Sequence, residues 1–515
     1  MIDRIILSDQ ERVTNGGVAY TIKSINARVA ELIKANPAGY IAFQFEGIDP
    51  VAIPASELDK AQVWTFDLQA FPALLSYSVP SSFFNLQPIA AEHTTWLVSL
   101  KNCIINKSVI TSSFLDESFN TVSGATLWWA YKQLWSGTII RHRKWRDIVP
   151  ESDCTDADQL RMVYLHQGLK WAGWTCLRVG LKNLFRGLRL LSSLQKFSGR
   201  YTTQYIDWSK WKESEYDRSA RVTILIPTVD RYPYLNTLLT QLADQVVKPS
   251  EIIVVDQTAE PKRQPLVHPQ LPLSVYYLDE AGQCRSRNHG LQNSSGDYIL
   301  FLDDDDEVYP ELIQDHLKTL SFFDADASCG VCQEPGQKET PELYRRIRAS
   351  DLLSTNNGMV RRSALTKSGL FDMVYDRGQR ADGDLGARLY LTGALIILNP
   401  SISVFHHRAP QGGLRKHNVR KVTYATSRSR ITHRRLPHVT ELYFNLKYFT
   451  KLQQSEYRLL SALGTLSIRG GVLKKLLKVG YGLVVMPNTL WLLFQRQKRA
   501  EKVLQGPSNI PYLEA

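Results

Sequence analysis

The chain has 515 residues, 43% of them apolar and 22% charged, with a formal net charge of +12. That length exceeds one compact core and predicts two or three domains of ordinary globular composition. The charge is uneven: residues 411–515 hold nineteen Lys or Arg against four acids, which points to an anionic surface or ligand near that end, membrane or phosphate. Nucleic acid is not an expected partner, because no zinc-finger spacing, RNA-binding signature or basic zipper is present. Six cysteines are scattered, and Cys329-Gly330-Val331-Cys332 has no partner pair, so reduced thiols are expected rather than zinc or disulfides. Met1-Ile2-Asp3-Arg4 opens no signal peptide, and no run of about eighteen apolar residues predicts a spanning helix. The expected place is the cytoplasm, with the cytoplasmic face of the inner membrane as a peripheral site.

In chain order, residues 1–150 read as mixed α/β, with a strand at 39–46, a helix at Val122–Ser136 and a short strand at 138–140. Residues 151–219 read as a basic amphipathic segment and linker. There, apolar residues at helical spacing from Leu165 to Leu191 alternate with Lys170, Arg178, Lys182, Arg186 and Arg189. That pattern predicts one or two helices that pack on a domain or lie on a membrane surface. A new unit starts near 220. Strands are predicted at Val222–Thr228, at 252–255 closing on Asp256, at Leu273–Tyr277 and at 298–302, with a helix at 233–245. Strands alternating with helices predict a parallel, doubly wound sheet with ligands at the carboxyl ends of its strands. Asp256, Arg285 and Asp303-Asp304-Asp305-Asp306 all fall at such ends.

Four adjacent carboxylates at the end of a buried strand repel one another unless a cation joins them. Mg²⁺ and Mn²⁺ take carboxylate oxygens, usually together with substrate phosphates. An acidic loop or first helical turn is the plainer alternative.

From about 221 to 415 the chain resembles the family 2 glycosyltransferases and their nucleotide-sugar-binding GT-A fold. The resemblance is carried by Pro227-Thr228, the strand ending at Asp256, Arg287-Asn288-His289-Gly290 and the acidic tetrad. It continues through Gly369-Leu370-Phe371-Asp372, Ala381-Asp382-Gly383-Asp384, Gly393 and His406. It implies a catalytic domain at 220–415 with Pro227, Thr228, Asp256, Arg285, Arg287, Asn288, Asp303 and Asp304 around a nucleotide sugar. Asp303, Asp305 and His406 would hold the divalent ion, Mn²⁺ or Mg²⁺, and Asp382 would be the catalytic base. Gln257, where a second acid is frequent, leaves the nucleobase open among UDP-, GDP- and dTDP-sugars.

A departing diphosphate must be neutralised, and Arg285 and Arg287 are placed to contribute. One general base implies direct displacement with inversion at the anomeric carbon. Asp384 is expected to support a loop or touch the acceptor. Gly358 lies in a candidate pocket loop, and Arg408 and Arg415 flank Gly412-Gly413 in a segment able to close on diphosphate.

An internal repeat is also expected. With a constant offset of 256, Asp116 falls on Asp372 and Gly137 on Gly393, while Tyr40-Ile41-Ala42-Phe43 resembles Tyr298-Ile299-Leu300-Phe301. Thr126 and Trp128 then stand where Asp382 and Asp384 do, so residues 1–150 read as a degenerate, non-catalytic copy. Residues 416–515 read as a basic helical region, packed on the catalytic domain or lying at a membrane interface. Taken together, the sequence predicts an inverting, metal-dependent glycosyltransferase acting on a cell-surface glycan, with a lipid-linked acceptor among the candidates. A glycan-binding scaffold and a metal-dependent nucleotidyltransferase are the competing classes. Oligomeric state stays open, a homo-oligomer included.

Overall fold

The structure, a computed structural model, describes residues 2–8, 18–48, 53–78, 90–110, 114–145, 152–197, 205–337, 339–410 and 424–513. It divides into two compact units, Met1–Trp208 and Ser209–Ala515. Arg415 and Gly412-Gly413 lie outside the described residues.

The first unit is built on a seven-stranded sheet: β1 (Ile2–Ser8), β2 (Val18–Ala19), β3 (Tyr40–Phe45), β4 (Val63–Thr65), β5 (Glu92–Thr94), β6 (Asn102–Asn106) and β7 (Ile140–Arg143). Their spatial order is β2-β1-β3-β6-β4-β7-β5. The helix Val122–Ser136 is apolar nearly all round, and twelve of its fifteen residues are buried, as such a helix must be. The basic segment is three helices, Asp156–Gln167, Leu169–Gly180 and Leu184–Leu194, rather than one or two. Gly168 at φ 85° breaks the first pair, and the Asn183 side chain caps the third helix by accepting from the Arg186 amide. These helices lie in the first unit, whose end at Trp208 falls inside the expected segment and linker at 151–219.

The second unit holds nine strands: β8 (Val222–Thr228), β9 (Glu251–Asp256), β10 (Leu273–Tyr277), β11 (Tyr298–Phe301), β12 (Asp306–Glu307), β13 (Ala327–Gln333), β14 (Arg348–Ser350), β15 (Gly358–Arg361) and β16 (Ile396–His406). The order is β10-β9-β8-β11-β15-β13-β16-β12, with β14 beside β16. β8 to β11 form a parallel block, in which β8, β9 and β11 are apolar runs buried on both faces and the edge strand β10 is half-buried. The helices beyond 416 are not a separate domain but part of this unit. Leu370 and Met373 donate backbone N–H to the carbonyls of Pro511 and Asn509, and Lys447 reaches Asp372 and Asp384.

The two sheets share a five-strand run. In the first, β1 is parallel to β3, β3 antiparallel to β6, β6 antiparallel to β4, and β4 parallel to β7. In the second, β8, β11, β15, β13 and β16 repeat those directions in the same chain order. A side-chain clamp repeats as well. Asn26 exchanges two hydrogen bonds of 2.8 Å with the backbone of Leu115, and Asn288 does the same with Phe371.

Candidate active site

Strand β11 runs out at Phe301, and the acidic tetrad turns over the carboxyl edge of the parallel block. Beside it opens a cleft of about 330 Å³ whose walls include Thr228, Arg231, Arg287, Asp303, Asp382 and His406. Pro227 and Asp304 line it too.

The four carboxylates have four different environments. Asp303 keeps 30% of its side chain exposed and accepts from Arg287 Nη2 at 2.9 Å. Asp304 is buried, accepting from Thr228 Oγ1 at 2.7 Å and from Arg231 Nη1 at 2.8 Å. Asp305 has no exposed side chain; Arg231 Nη1 donates to one oxygen and the Ala409 amide to the other. Asp306 turns back, accepting from its neighbour's Asp303 amide and pairing with His406 Nδ1 at 2.9 Å. Burial pushes the Asp304 and Asp306 carboxyls up to about 7, against the pull of Arg231 and His406 respectively. The hydrogen bond to Asp306 in turn raises the His406 imidazole to about 9. The cluster is short of positive charge.

Among the described residues, no three His, Cys, Asp or Glu side chains stand close enough together to hold a metal as placed. The chemistry of the donor set nevertheless fits a divalent ion, with hard carboxylate oxygens and an imidazole in one region of the site. The cation now between Asp304 and Asp305 is the Arg231 guanidinium. Asp303 and His406 face the cleft, whereas Asp305 sits behind Arg231, and His406 Nδ1 is 3.7 Å from it. With Nδ1 on Asp306, Nε2 is the ring nitrogen able to take a metal.

Across the cleft, Asp382 lies exposed in the first turn of the helix Ala381–Leu391. Among the described residues, three of the four non-glycine residues with positive φ adjoin this site: Asp230 before Arg231, Arg380 before Ala381, and Arg408 after His407. Held conformations of this kind gather where side chains must be aimed.

Asp256, Arg285, Asn288, Asp384 and Gly358, all expected at the site, do not line the cleft. Asp256 is buried, with its oxygens accepting from Tyr232 Oη and the Thr258 amide; its neighbour Gln257 lines the cleft instead. Arg285 is turned outward on its helix to Glu280 and does not line the cleft. Asn288 is spent on the Phe371 clamp. Asp384, two residues from Asp382, points into the core, where Arg388, Lys447, Tyr375 and Tyr448 surround it. Burial would raise its carboxyl, but Arg388 and Lys447 outweigh that and hold it below the usual range. Gly358 is closed in by β15 packing, since a Cβ there would meet the Ser354 carbonyl at 2.2 Å. Neither Asp384 nor Gly358 is open to an acceptor. Arg408 pairs with Glu334, which lines the cleft. Sequence reading missed Arg231; its signal was a cation four residues beyond Pro227, at the strand end facing the tetrad.

A parallel-centred sheet with carboxylates, cations and an isolated exposed acid at its carboxyl edge is the architecture of a GT-A-like glycosyltransferase domain. Residues 223–376 match the family model for Glycosyl transferase family 2, and with the relatives that follow, this match supports a family 2 glycosyltransferase domain in the C-terminal half. Among curated proteins, the uncharacterized glycosyltransferase YwdF of Bacillus subtilis is 29% identical over 168 residues, covering 30% of this chain and 62% of that protein. The GalNAc(5)-diNAcBac-PP-undecaprenol beta-1,3-glucosyltransferase of Campylobacter jejuni is 29% identical over 94 residues, 17% of this chain and 30% of that protein. The chain thus spans less than two thirds of either relative. A mannosyltransferase from Pyrobaculum calidifontis, solved with GDP-Man and Mn²⁺, aligns at 16% identity with a TM-score of 0.36, over 57% of this chain and 92% of its own.

Proposed function

We propose that this chain transfers a sugar from a nucleoside diphosphate sugar to a hydroxyl of a growing cell-surface glycan, with inversion. The observation that carries the reading is the placing of Asp382, exposed and with no ion pair among the described residues, on the wall of the cleft that also holds Asp303 and Arg287. Asp382 takes the proton of the acceptor hydroxyl. Arg287 and Arg231 face the departing diphosphate as fixed cations. Asp303, Asp305 and His406 are the residues to hold Mn²⁺ or Mg²⁺, which when bound neutralises charge on the diphosphate. A lipid-linked acceptor is the form we favour, in keeping with the undecaprenol-linked substrate named for the Campylobacter relative.

The test is release of nucleoside diphosphate from UDP-, GDP- and dTDP-sugars with Mn²⁺ or Mg²⁺, for wild type and Asp382→Asn. One sugar nucleotide should be turned over by wild type and not by the variant. Turnover of none, with no nucleotide-dependent rise in melting temperature, would sink the reading.

We also infer that the first unit is a second copy of the same domain without its chemistry. The shared five-strand run and the repeated asparagine clamp support this, and so does Gly137, which ends its helix at φ 101° as Gly393 (φ 91°) follows the other. At the matching helix positions, Thr126 and Trp128 are buried among core side chains. Calorimetric titration with the donor nucleotide should find one site per chain, lost in Asp305→Ala; two sites would contradict the inference.

A further inference from the structure

We propose that the helices Val472–Val484 and Met486–Leu504 dock on an anionic lipid surface, a property separate from the transfer reaction. The first helix is inside out for a helix in water. Its Lys478 has no exposed surface, and its Nζ donates to the carbonyls of Ser427, Arg430 and His433 at 3.3, 3.1 and 2.6 Å. The aliphatic side chains point the other way: Leu473 is 71% exposed, Leu476 63% and Val484 81%. Anchoring a cation inward while leaving a leucine face in water is unfavourable on both counts. An apolar phase over that face removes the second cost.

The second helix continues the face. Leu490, Trp491 and Phe494 are exposed, whereas Thr489, Leu493, Gln497 and Ala500 are buried against the protein. Arg434 fixes the inner side by donating to Thr489 Oγ1 and Asn488 Oδ1. No single helix among the described residues is long and apolar enough to cross a membrane, and this pair is bent by 60°. With one flank held by protein, the pair suits the plane of the interface.

Charge selects the occupant. From Arg469 to Ala500 the chain carries seven Lys or Arg and no acid; Lys478 and Arg496 turn inward onto backbone carbonyls, while Lys474 and Lys475 sit among the exposed leucines. A second copy would meet this face with like charges, whereas anionic headgroups neutralise them. Trp491 suits the headgroup level.

Flotation of the full chain with vesicles of phosphatidylcholine, with or without phosphatidylglycerol, tests the proposal. Wild type should float with the anionic vesicles, and about tenfold less with neutral ones or in about 0.5 M salt. The triple variant Leu473→Glu, Leu476→Glu, Phe494→Glu should lose flotation about tenfold while keeping the wild-type circular dichroism. If it does not fold, Lys474→Glu with Lys475→Glu carries the test, through weakened binding to anionic vesicles alone. Wild type left unfloated by both vesicle types overturns the proposal, and so does a folded variant that floats as wild type does. A dimer by light scattering that the triple variant dissociates, with no flotation, assigns the face to a second copy and also overturns it.

Discussion

A single nitrogen of Arg231, Nη1, stands 2.8 Å from Oδ1 of Asp305, and the same atom is 2.8 Å from Asp304. The guanidinium holds together two buried carboxylates that would otherwise repel. Arg231→Ala should therefore cost about 3 kcal/mol of stability, the usual scale for breaking a buried charge pair. In the proposed metal site the guanidinium and a divalent ion would compete for Asp305, so Mn²⁺ should raise the melting temperature of the variant more than that of wild type. Equal shifts for the two proteins would show that they do not compete.

Asp382 and Asp384 are two residues apart and should behave oppositely. Asp382→Asn should lower turnover by about 10²–10⁴-fold with melting temperature and donor binding unchanged. Asp384→Asn leaves Arg388 and Lys447 buried with less counter-charge, and should cost about 3 kcal/mol. Urea unfolding alongside steady-state kinetics separates the two outcomes. A stable, inactive Asp384→Asn would return that residue to the chemistry.

The paired asparagine clamps make a test within one molecule. Asn26→Ala and Asn288→Ala each strip partners from one backbone N–H and one carbonyl. Each should cost about 2 kcal/mol, on the scale of unsatisfied buried polar groups. Amide hydrogen exchange should place the first loss in the unit Met1–Trp208 and the second in the unit Ser209–Ala515. Protection lost in neither unit would show that the clamps hold nothing.

His316 is wholly buried, between Ser328 Oγ and Asn357 Oδ1, each at 3.0 Å. Since Asn357 Oδ1 can only accept, Nε2 carries a proton; burial favours the neutral ring, in which Nδ1 accepts from the serine hydroxyl. Burial lowers its pKa from 6.5 to about 4. The unfolded chain takes up the proton first, near 6.5, so stability from this group is present above that pH. It is lost as pH falls from about 6.5 to about 4, by about 3 kcal/mol in full. Urea midpoints at about pH 7 and about pH 4.5 should differ less in His316→Gln than in wild type. The same difference in both would remove His316 from the acid limb.

Local pattern made several elements legible. The helix Val122–Ser136 and the strands Val222–Thr228 and Leu273–Tyr277 have the limits that their apolar runs announce. The tetrad, Arg287 and Asp382 were legible as charged residues near strand and helix ends, and Asp303, Asp304, Arg287 and Asp382 line the cleft. Arg231 was not, because its partners lie more than seventy residues away and no spacing links them. The three basic helices were visible as amphipathic but not as part of the first unit, since a periodic pattern says that a face is buried and not against what.

Residue order alone marks the candidates for chemistry: carboxylates at the end of an apolar run, a basic tail, and a glycine after each of two apolar helices. Which of them meet solvent depends on packing between distant segments. Asp303 opens to the cleft while Asp305 is closed behind Arg231, and Asp382 faces out while Asp384 faces Lys447 and Tyr448, more than sixty residues on. The reason is geometric. Two residues apart on a helix point to nearly opposite sides, and which side is inside depends on what packs there, through contacts that no local stretch of chain encodes.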